Sequence, residues 1–341
     1  GGRRAPPRLL AAATLSGWAC GRSPSSGRRS SPSDHAQAPA FPEMGGLQRW
    51  PLVSTEWLAG RLRAPGLRVF DCTTALRPPR TPSEAPYSVD NGRAQYDAAH
   101  IPGSAFLDVQ RDLCDVSSAF YFMCPGFAEL AERFGALGIG DGACVVLYSQ
   151  ASPQWATRVW WMLRALGFDG AYVLDGGATK WAFEGRPTSQ EETRFEVATL
   201  TPRARPELFA NKEEVLASIG DSSVFLVNAL SRELHSGSKA TYGRPGRIPQ
   251  SVNVPTRELL NEETTAFLPE GELLSRFREA GLTMDAPDRR IITYCGGGIA
   301  ASTTAMLLTM QGYTNVGLYD ASLGEWASDE TLPMECDTSS V

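Results

Sequence analysis

The stretch IITYCGGGIAAS, residues Ile291–Ser302, marks a change from one secondary structure to another. The short β-branched run at its start is typical of a buried strand, and the longer pattern that follows, which closes at Gly312, predicts a helix. Cys295 and three glycines lie between the two. Because ligands of parallel sheets bind at the carboxyl ends of the strands, this position predicts a binding edge.

A glycine-rich loop at a helix N-terminus can hold an anion. The N–H groups there lack partners within the helix, and glycines let the backbone turn several of them toward one point. A thiol in that position has a lowered pKa and forms a nucleophilic thiolate. We therefore predict Cys295 as a catalytic nucleophile; the alternative is an inert core cysteine. The amides predicted to stabilise its charge belong to Gly296, Gly297, Gly298, Ile299, Ala300 and Ala301.

Two reaction classes use a cysteine in such a loop. A cysteine phosphatase requires an arginine at the end of the loop to hold the phosphate with two hydrogen bonds, and that position is Ala301. Sulfur transfer, in which the thiolate accepts a sulfane sulfur and passes it on, requires no such arginine. The loop therefore favours sulfur transfer.

The chain contains an internal duplication. AHIPGSAFLDV (Ala99–Val109) matches GRIPQSVNVP (Gly246–Pro255), and YVLDGGATKW (Tyr172–Trp181) matches GLYDASLGEW (Gly317–Trp326), at offsets of 145 to 147 residues. In each copy, short apolar runs alternate with helical patterns, which indicates an α/β fold. We predict two tandem domains, each a mainly parallel sheet flanked by helices on both faces. The predicted boundaries are 46–186 for the first, 187–207 for a linker and 208–341 for the second.

Composition excludes several classes of protein. The net charge of −6 argues against a general nucleic-acid binder, which usually presents a basic face. The sequence has no apolar run long enough to span a membrane. Seven cysteines without a C-x-x-C pair signal neither a disulfide framework nor a zinc site, so we expect reduced thiols.

Residues 1–45 differ from the rest of the chain. They are rich in Arg, Ser and Pro, and no acidic residue precedes Asp34. We predict a disordered leader, either a mitochondrial transit segment or upstream sequence read in frame before Met44. The expected location is therefore mitochondrial or cytoplasmic.

Taken together, these segments resemble the tandem-domain rhodanese superfamily, which includes thiosulfate and 3-mercaptopyruvate sulfurtransferases. The likeness rests on the cysteine loop, the two I-P segments, WATRVWWMLRALG (Trp155–Gly167) and the duplication, and it covers nearly all of residues 48–335. It implies two rhodanese-like domains, of which the second carries the nucleophile. The first is then catalytically silent, with Ser149 at the position paired with Cys295.

The substrate residues of the two subfamilies match less well. Thiosulfate-preferring members carry basic residues just after the cysteine, where this chain has Gly296 and Gly297. Mercaptopyruvate-preferring members relay a loop serine to a histidine and an aspartate of the first domain. His100 and Asp71 match that pair and are expected to form an acid–base relay, although Gly297 replaces the serine. The alternative is that His100 only hydrogen-bonds its own loop.

An anionic sulfur donor also needs a cation near the sulfur. The arginine that the resemblance would place after the second domain's first strand is replaced by Leu230. The candidates that remain for substrate binding are Arg247, Arg244 and Arg232, although each could equally be a surface arginine whose stem packs on a neighbour.

The leading hypothesis is thus a sulfurtransferase that forms a persulfide on Cys295. Its donor would be thiosulfate or 3-mercaptopyruvate, and its acceptor cyanide, a thiol or a thioredoxin-like protein. We expect no metal or organic cofactor, no nucleic-acid or membrane partner, and a monomer. The alternative is a rhodanese-like binding or regulatory module without turnover.

Overall fold

Two parallel sheets of the same strand order organise the protein. The computed structural model describes residues 51–81, 86–283 and 285–337, and the leader predicted at 1–45 lies outside them. These residues belong to a single unit, Ala38–Val341. The predicted α/β class is confirmed: each copy is built on a parallel sheet flanked by helices.

The first copy alternates strands and helices from residue 52 to residue 183. Its strands are β1 (Leu52–Val53), β2 (Leu67–Asp71), β3 (Thr74–Arg77), β4 (Ser88–Asn91), β5 (Ser104–Phe106), β6 (Cys144–Tyr148) and β7 (Ala171–Leu174). Its helices are α1 (Thr55–Ala59), α2 (Arg93–Ala98), α3 (Val109–Leu113), α4 (Phe127–Ala136), α5 (Gln154–Ala165) and α6 (Gly177–Phe183). The parallel sheet has the order β1-β7-β6-β2-β5, and β3 and β4 form a separate antiparallel pair.

The second copy repeats this plan from residue 209 to residue 326. Its strands are β8 (Phe209–Ala210), β9 (Val224–Asn228), β10 (Val252–Asn253), β11 (Arg290–Tyr294) and β12 (Val316–Tyr319). Its helices are α7 (Lys212–Ala217), α8 (Arg232–Ser236), α9 (Glu270–Glu279), α10 (Ile299–Met310) and α11 (Ser322–Trp326). The sheet order β8-β12-β11-β9-β10 is that of the first copy. The strand predicted at the start of IITYCGGGIAAS is confirmed as β11.

Equivalent hydrogen bonds recur in the two copies. In the first, the hydroxyl of Tyr148 at the end of β6 accepts the N–H of Ile101 over 3.2 Å. In the second, the hydroxyl of Tyr294 at the end of β11 accepts the N–H of Ile248 over 3.1 Å. The I-P segments therefore have the same role in both copies: they close over the end of the central strand. This explains why these short motifs repeat in the sequence.

The helix predicted after Cys295 is confirmed as α10, and it is buried on nearly all sides. It packs against α5 of the first copy, and small polar residues line the contact. The hydroxyl of Thr157 on α5 lies 2.9 Å from that of Ser302 and 2.8 Å from that of Thr303, both on α10. Because both helices are sandwiched between the two sheets, the loop that precedes α10 is fixed by residues of both copies.

The segment predicted as a linker, 187–207, runs along the first copy. Its N–H groups at Ala198 and Arg203 donate to the carbonyls of Gly135 and Leu166. The precise domain boundaries stay predictions. No described helix combines the length and the apolar character needed to cross a bilayer.

Candidate active site

Cys295 lies where the sequence predicted it, between the end of β11 and the start of α10. Its side chain is only 3% exposed. The carbonyls of Cys295 and Gly296 accept the N–H groups of Leu323 and Gly324 at 3.1 and 2.8 Å. The start of α11 therefore fixes the backbone of the loop through two hydrogen bonds.

The loop leaves most of its amides free. Within the described residues, no hydrogen-bond acceptor faces the N–H groups of Gly296, Gly297, Ile299, Ala300 and Ala301. Gly298, at φ +74°, makes the left-handed turn into the twelve-residue helix α10. Free amides at the N-terminus of a helix of this length, next to a thiol, are the arrangement that stabilises an anion.

One N–H group predicted to stabilise the charge on Cys295, that of Gly298, has another partner. The N–H of Gly298 donates to the hydroxyl oxygen of Ser322 over 3.2 Å, and the N–H of Cys295 donates to the same oxygen over 3.0 Å. That hydroxyl in turn donates to the carbonyl of Tyr319 over 2.7 Å. Ser322 is fully buried, so it fixes the two ends of the loop relative to each other.

Sequence reasoning missed Ser322. The signal was the repeat, because DGGATKW and DASLGEW align Ser322 with Gly177, and both residues have φ near +50° (53° and 52°). A serine at a backbone position that suits glycine indicates that its hydroxyl is needed.

Replacing Ser322 with alanine is expected to lower the free energy of unfolding by about 1–3 kcal/mol, since two buried N–H groups lose their acceptor. The reactivity of the Cys295 thiol should also fall, because the two ends of the loop are released. Urea unfolding and the rate at which iodoacetamide alkylates Cys295 measure the two effects. The control is Ser328→Ala, which removes an exposed serine hydroxyl; equal losses in both variants would contradict this role for Ser322.

Two tyrosines cover the loop. A Cβ on Gly296 would overlap the phenol end of Tyr242, and a Cβ on Gly297 would lie 3.2 Å from the hydroxyl of Tyr87. The two rings meet edge to face, with centroids 6.4 Å apart. Tyr87 comes from the first copy and Tyr242 from the second. The glycines after Cys295 are therefore required by close contact with these tyrosines as well as by the turn.

A buried ion pair lies behind the loop. Arg158 of α5 is fully buried, and its Nη2 is 2.6 Å from Oδ1 of Asp320, just before Ser322. The same nitrogen donates to the carbonyl of Phe122, and Oδ2 of Asp320 accepts the N–H of Cys124. These contacts join the two copies next to Gly298 of the loop.

The three arginines predicted to bind the donor have other partners. Arg232 forms a bidentate pair with Glu258 at the surface. Arg247 pairs with Glu335 and Asp337 near the C-terminus. Arg244 donates to four carbonyls, those of Trp326, Ala327, Asp329 and Leu332. Each guanidinium is thus held by structural contacts, and none of them is shown in contact with the Cys295 loop.

The predicted relay of His100 and Asp71 is not formed. The two ring nitrogens of His100 lie 2.7 and 3.0 Å from the carbonyls of Tyr96 and Glu191. Asp71 accepts the N–H of Thr73 at the end of β2, as Asn228 does for Leu230 at the end of β9. Burial raises the pKa of Asp71, and hydrogen bonds from Thr73 oppose that shift. Asp71 therefore caps a backbone turn, whereas His100 joins α2 to the segment 187–207 instead of bonding only its own loop.

Comparison with known proteins decides the family. The model of the rhodanese-like domain matches residues 54–184 and 212–329, one match for each copy. The chain belongs to the rhodanese-like family. Two rhodanese-like relatives are 3-mercaptopyruvate sulfurtransferase of Mus musculus, 30% identical over 284 residues, and thiosulfate sulfurtransferase of Bos taurus, 32% identical over 285 residues. Both alignments cover 81% of this chain and 91% of the relative, and they assign the chain to the sulfurtransferases.

Solved structures agree with this assignment to the rhodanese-like family. SseA from Escherichia coli, described as a 3-mercaptopyruvate sulfotransferase, superposes with a TM-score of 0.67 at 25% identity and covers 80% of this chain and 98% of its own. Tum1 from Saccharomyces cerevisiae, at 20% identity and a TM-score of 0.70, covers 84% of this chain and 98% of its own and supports the fold alone.

Four other thiols of this rhodanese-like chain are buried in surroundings that disfavour the thiolate. All cysteines among the described residues are free, as predicted. Burial raises the pKa of Cys114 to about 12 and that of Cys144 to about 11, and it also raises the pKa of Cys72 and Cys124. These four thiols are therefore poor nucleophiles at neutral pH.

Proposed function

We propose that this protein transfers a sulfane sulfur through a persulfide on Cys295. The observation that carries the proposal is the set of free amides at the start of α10, beside the one thiol among the described residues that follows the middle strand of a sheet. Unpaired amides at a helix N-terminus would stabilise a negative charge on the neighbouring sulfur without reorganising during the reaction. They would serve the thiolate before transfer and the persulfide anion after it.

With thiosulfate as donor, the Cys295 thiolate attacks the outer sulfur. A sulfur–sulfur bond to Cys295 forms, the bond to the inner sulfur breaks, and the electron pair leaves with sulfite. With 3-mercaptopyruvate, the carbon–sulfur bond breaks instead, and the carbon keeps the electron pair as an enolate that takes up a proton to give pyruvate. An acceptor then attacks the outer sulfur and returns the electron pair to Cys295 as a thiolate.

The burial of Cys295 limits the donor to a small anion, thiosulfate or 3-mercaptopyruvate. Cyanide, a small thiol or a thioredoxin-like protein is the proposed acceptor. None of these steps requires a metal or an organic cofactor. We further propose a monomer in mitochondria or cytoplasm; the name of one Arabidopsis thaliana relative, thiosulfate/3-mercaptopyruvate sulfurtransferase 1, mitochondrial, favours the first location.

The first copy is proposed to be catalytically silent. Ser149 occupies the position of Cys295, and its hydroxyl donates to the carbonyl of Ser152. Serine is a poor nucleophile without an adjacent base.

Turnover with the two donors tests the proposal. Purified full-length protein is mixed with cyanide and either thiosulfate or 3-mercaptopyruvate, and thiocyanate formation is followed. We expect turnover with at least one donor, and the ratio of kcat/KM values identifies the preferred one. No turnover with either donor, together with alkylation of Cys295 only above about pH 8.5, would favour the binding module.

A further inference from the structure

The two tyrosines that cover the loop have hydroxyls without a protein partner. In the described part of the chain, no hydrogen bond is made by the hydroxyl of Tyr87 or of Tyr242. Both lie against the glycines that follow Cys295, and Gly297 between them is partly exposed. Tyr87 is buried and Tyr242 is half-buried, and neither hydroxyl is among the fully buried polar atoms that lack a partner in the described residues. Both hydroxyls are therefore open to a small molecule that reaches the loop.

Electrostatics keeps these phenols protonated. Burial raises the pKa of Tyr242 above its usual value, and the charge of Cys295 raises it further. For Tyr87, burial is again the largest cause, followed by the charges of Tyr242, Cys295 and Tyr121. A phenol that stays neutral can donate its proton in a hydrogen bond to an anion.

The tyrosines occupy the space that basic side chains would need. A side chain longer than glycine at position 296 collides with Tyr242, so this chain cannot carry a lysine or arginine there without moving the ring. The arginine that lies against the loop is Arg158, which is fully buried and paired with Asp320. Two neutral donors therefore stand where the family resemblance would place cations.

We propose that Tyr87 and Tyr242 are catalytic residues that donate hydrogen bonds to the anionic sulfur on Cys295. The role rests on the proposed sulfur transfer, in which they hold the thiolate and then the terminal sulfur of the persulfide. The site thus recognises its ligand as a hydrogen-bond acceptor at sulfur.

Tyrosine-to-phenylalanine variants test this proposal, because they keep the rings and remove only the hydroxyls. Removing a hydrogen bond to the thiolate lowers the ionised fraction of the thiol by about tenfold at neutral pH. The thiolate that remains is intrinsically more nucleophilic, which offsets part of that loss. We therefore expect iodoacetamide to alkylate Cys295 about threefold more slowly at about pH 7 in Tyr87→Phe and in Tyr242→Phe. Sulfur loading, followed by intact mass, should slow at least as much, and the double variant should be slower than either.

Tyr172→Phe is the matched control, since it removes a half-buried hydroxyl from β7. It should match the wild type in both rates. If both single variants and the double variant also match the wild type, the proposal is overturned. If the alkylation rates change as expected but the wild type loads no sulfur from either donor, the proposed function fails while the hydrogen bonds to the thiolate stand.

Discussion

Replacing Cys295 with serine is expected to reduce sulfur transfer by more than about a thousandfold, because the reaction loses the atom that forms the persulfide. Serine keeps the size of the side chain and the backbone contacts of the loop. The free energy of unfolding should therefore change by less than about 1 kcal/mol. Turnover with both donors and urea unfolding measure the two quantities on the same preparation.

The matched control is Cys336→Ser. Cys336 is exposed near the C-terminus, where its thiol donates to the carbonyl of Pro245. Its loss should leave turnover within about twofold of the wild type, since exposed substitutions away from a site have small effects. A Cys295→Ser variant that retains turnover, or a Cys336→Ser variant that loses it, would place the sulfur carrier elsewhere.

Replacing Arg158 with leucine is expected to lower the free energy of unfolding by about 3–5 kcal/mol, because Asp320 is left as a buried charge without its partner. The substitution is also expected to disturb the Cys295 loop, because Asp320 is close to a residue that binds it. Asp320 lies two residues before Ser322, which holds the N–H groups of Cys295 and Gly298. We therefore expect a loss of turnover in the protein that remains folded.

Two further variants separate the ion pair from general effects. Arg232→Leu breaks the exposed pair with Glu258 and should cost less than about 1 kcal/mol. Adding Asp320→Asn to Arg158→Leu removes the stranded charge but keeps an oxygen for the N–H of Cys124, so it should recover part of the loss. If the double variant is less stable than Arg158→Leu alone, the stranded charge is not the cause.

Much of the fold follows from local sequence. The repeat at a near-constant offset predicted two copies of one α/β plan, and the matching bonds made by Tyr148 and Tyr294 show why those segments recur. The position of Cys295 followed from the order of strand, loop and helix. Such features are predictable because they depend on neighbours along the chain.

The surroundings of Cys295 were harder to predict, because they depend on contacts between distant segments. Tyr87 and Tyr242 meet over the loop from different copies, and Arg158 reaches Asp320 across the helix pair. The same limitation explains why the partners of the three candidate arginines were not predicted. From the sequence alone, Arg247 is a candidate ligand for an anion. In the structure it pairs with Glu335 and Asp337, which lie 88 and 90 residues further along the chain.

The location of the transferred sulfur tests the central claim most directly. Wild-type protein is treated with one equivalent of its preferred donor, digested without reductant, and its peptides are weighed. We predict the mass of one added sulfur on the peptide that contains Cys295 and on no other cysteine peptide. Sulfur found on Cys336 or on another thiol, with the Cys295 peptide unchanged, would contradict the account.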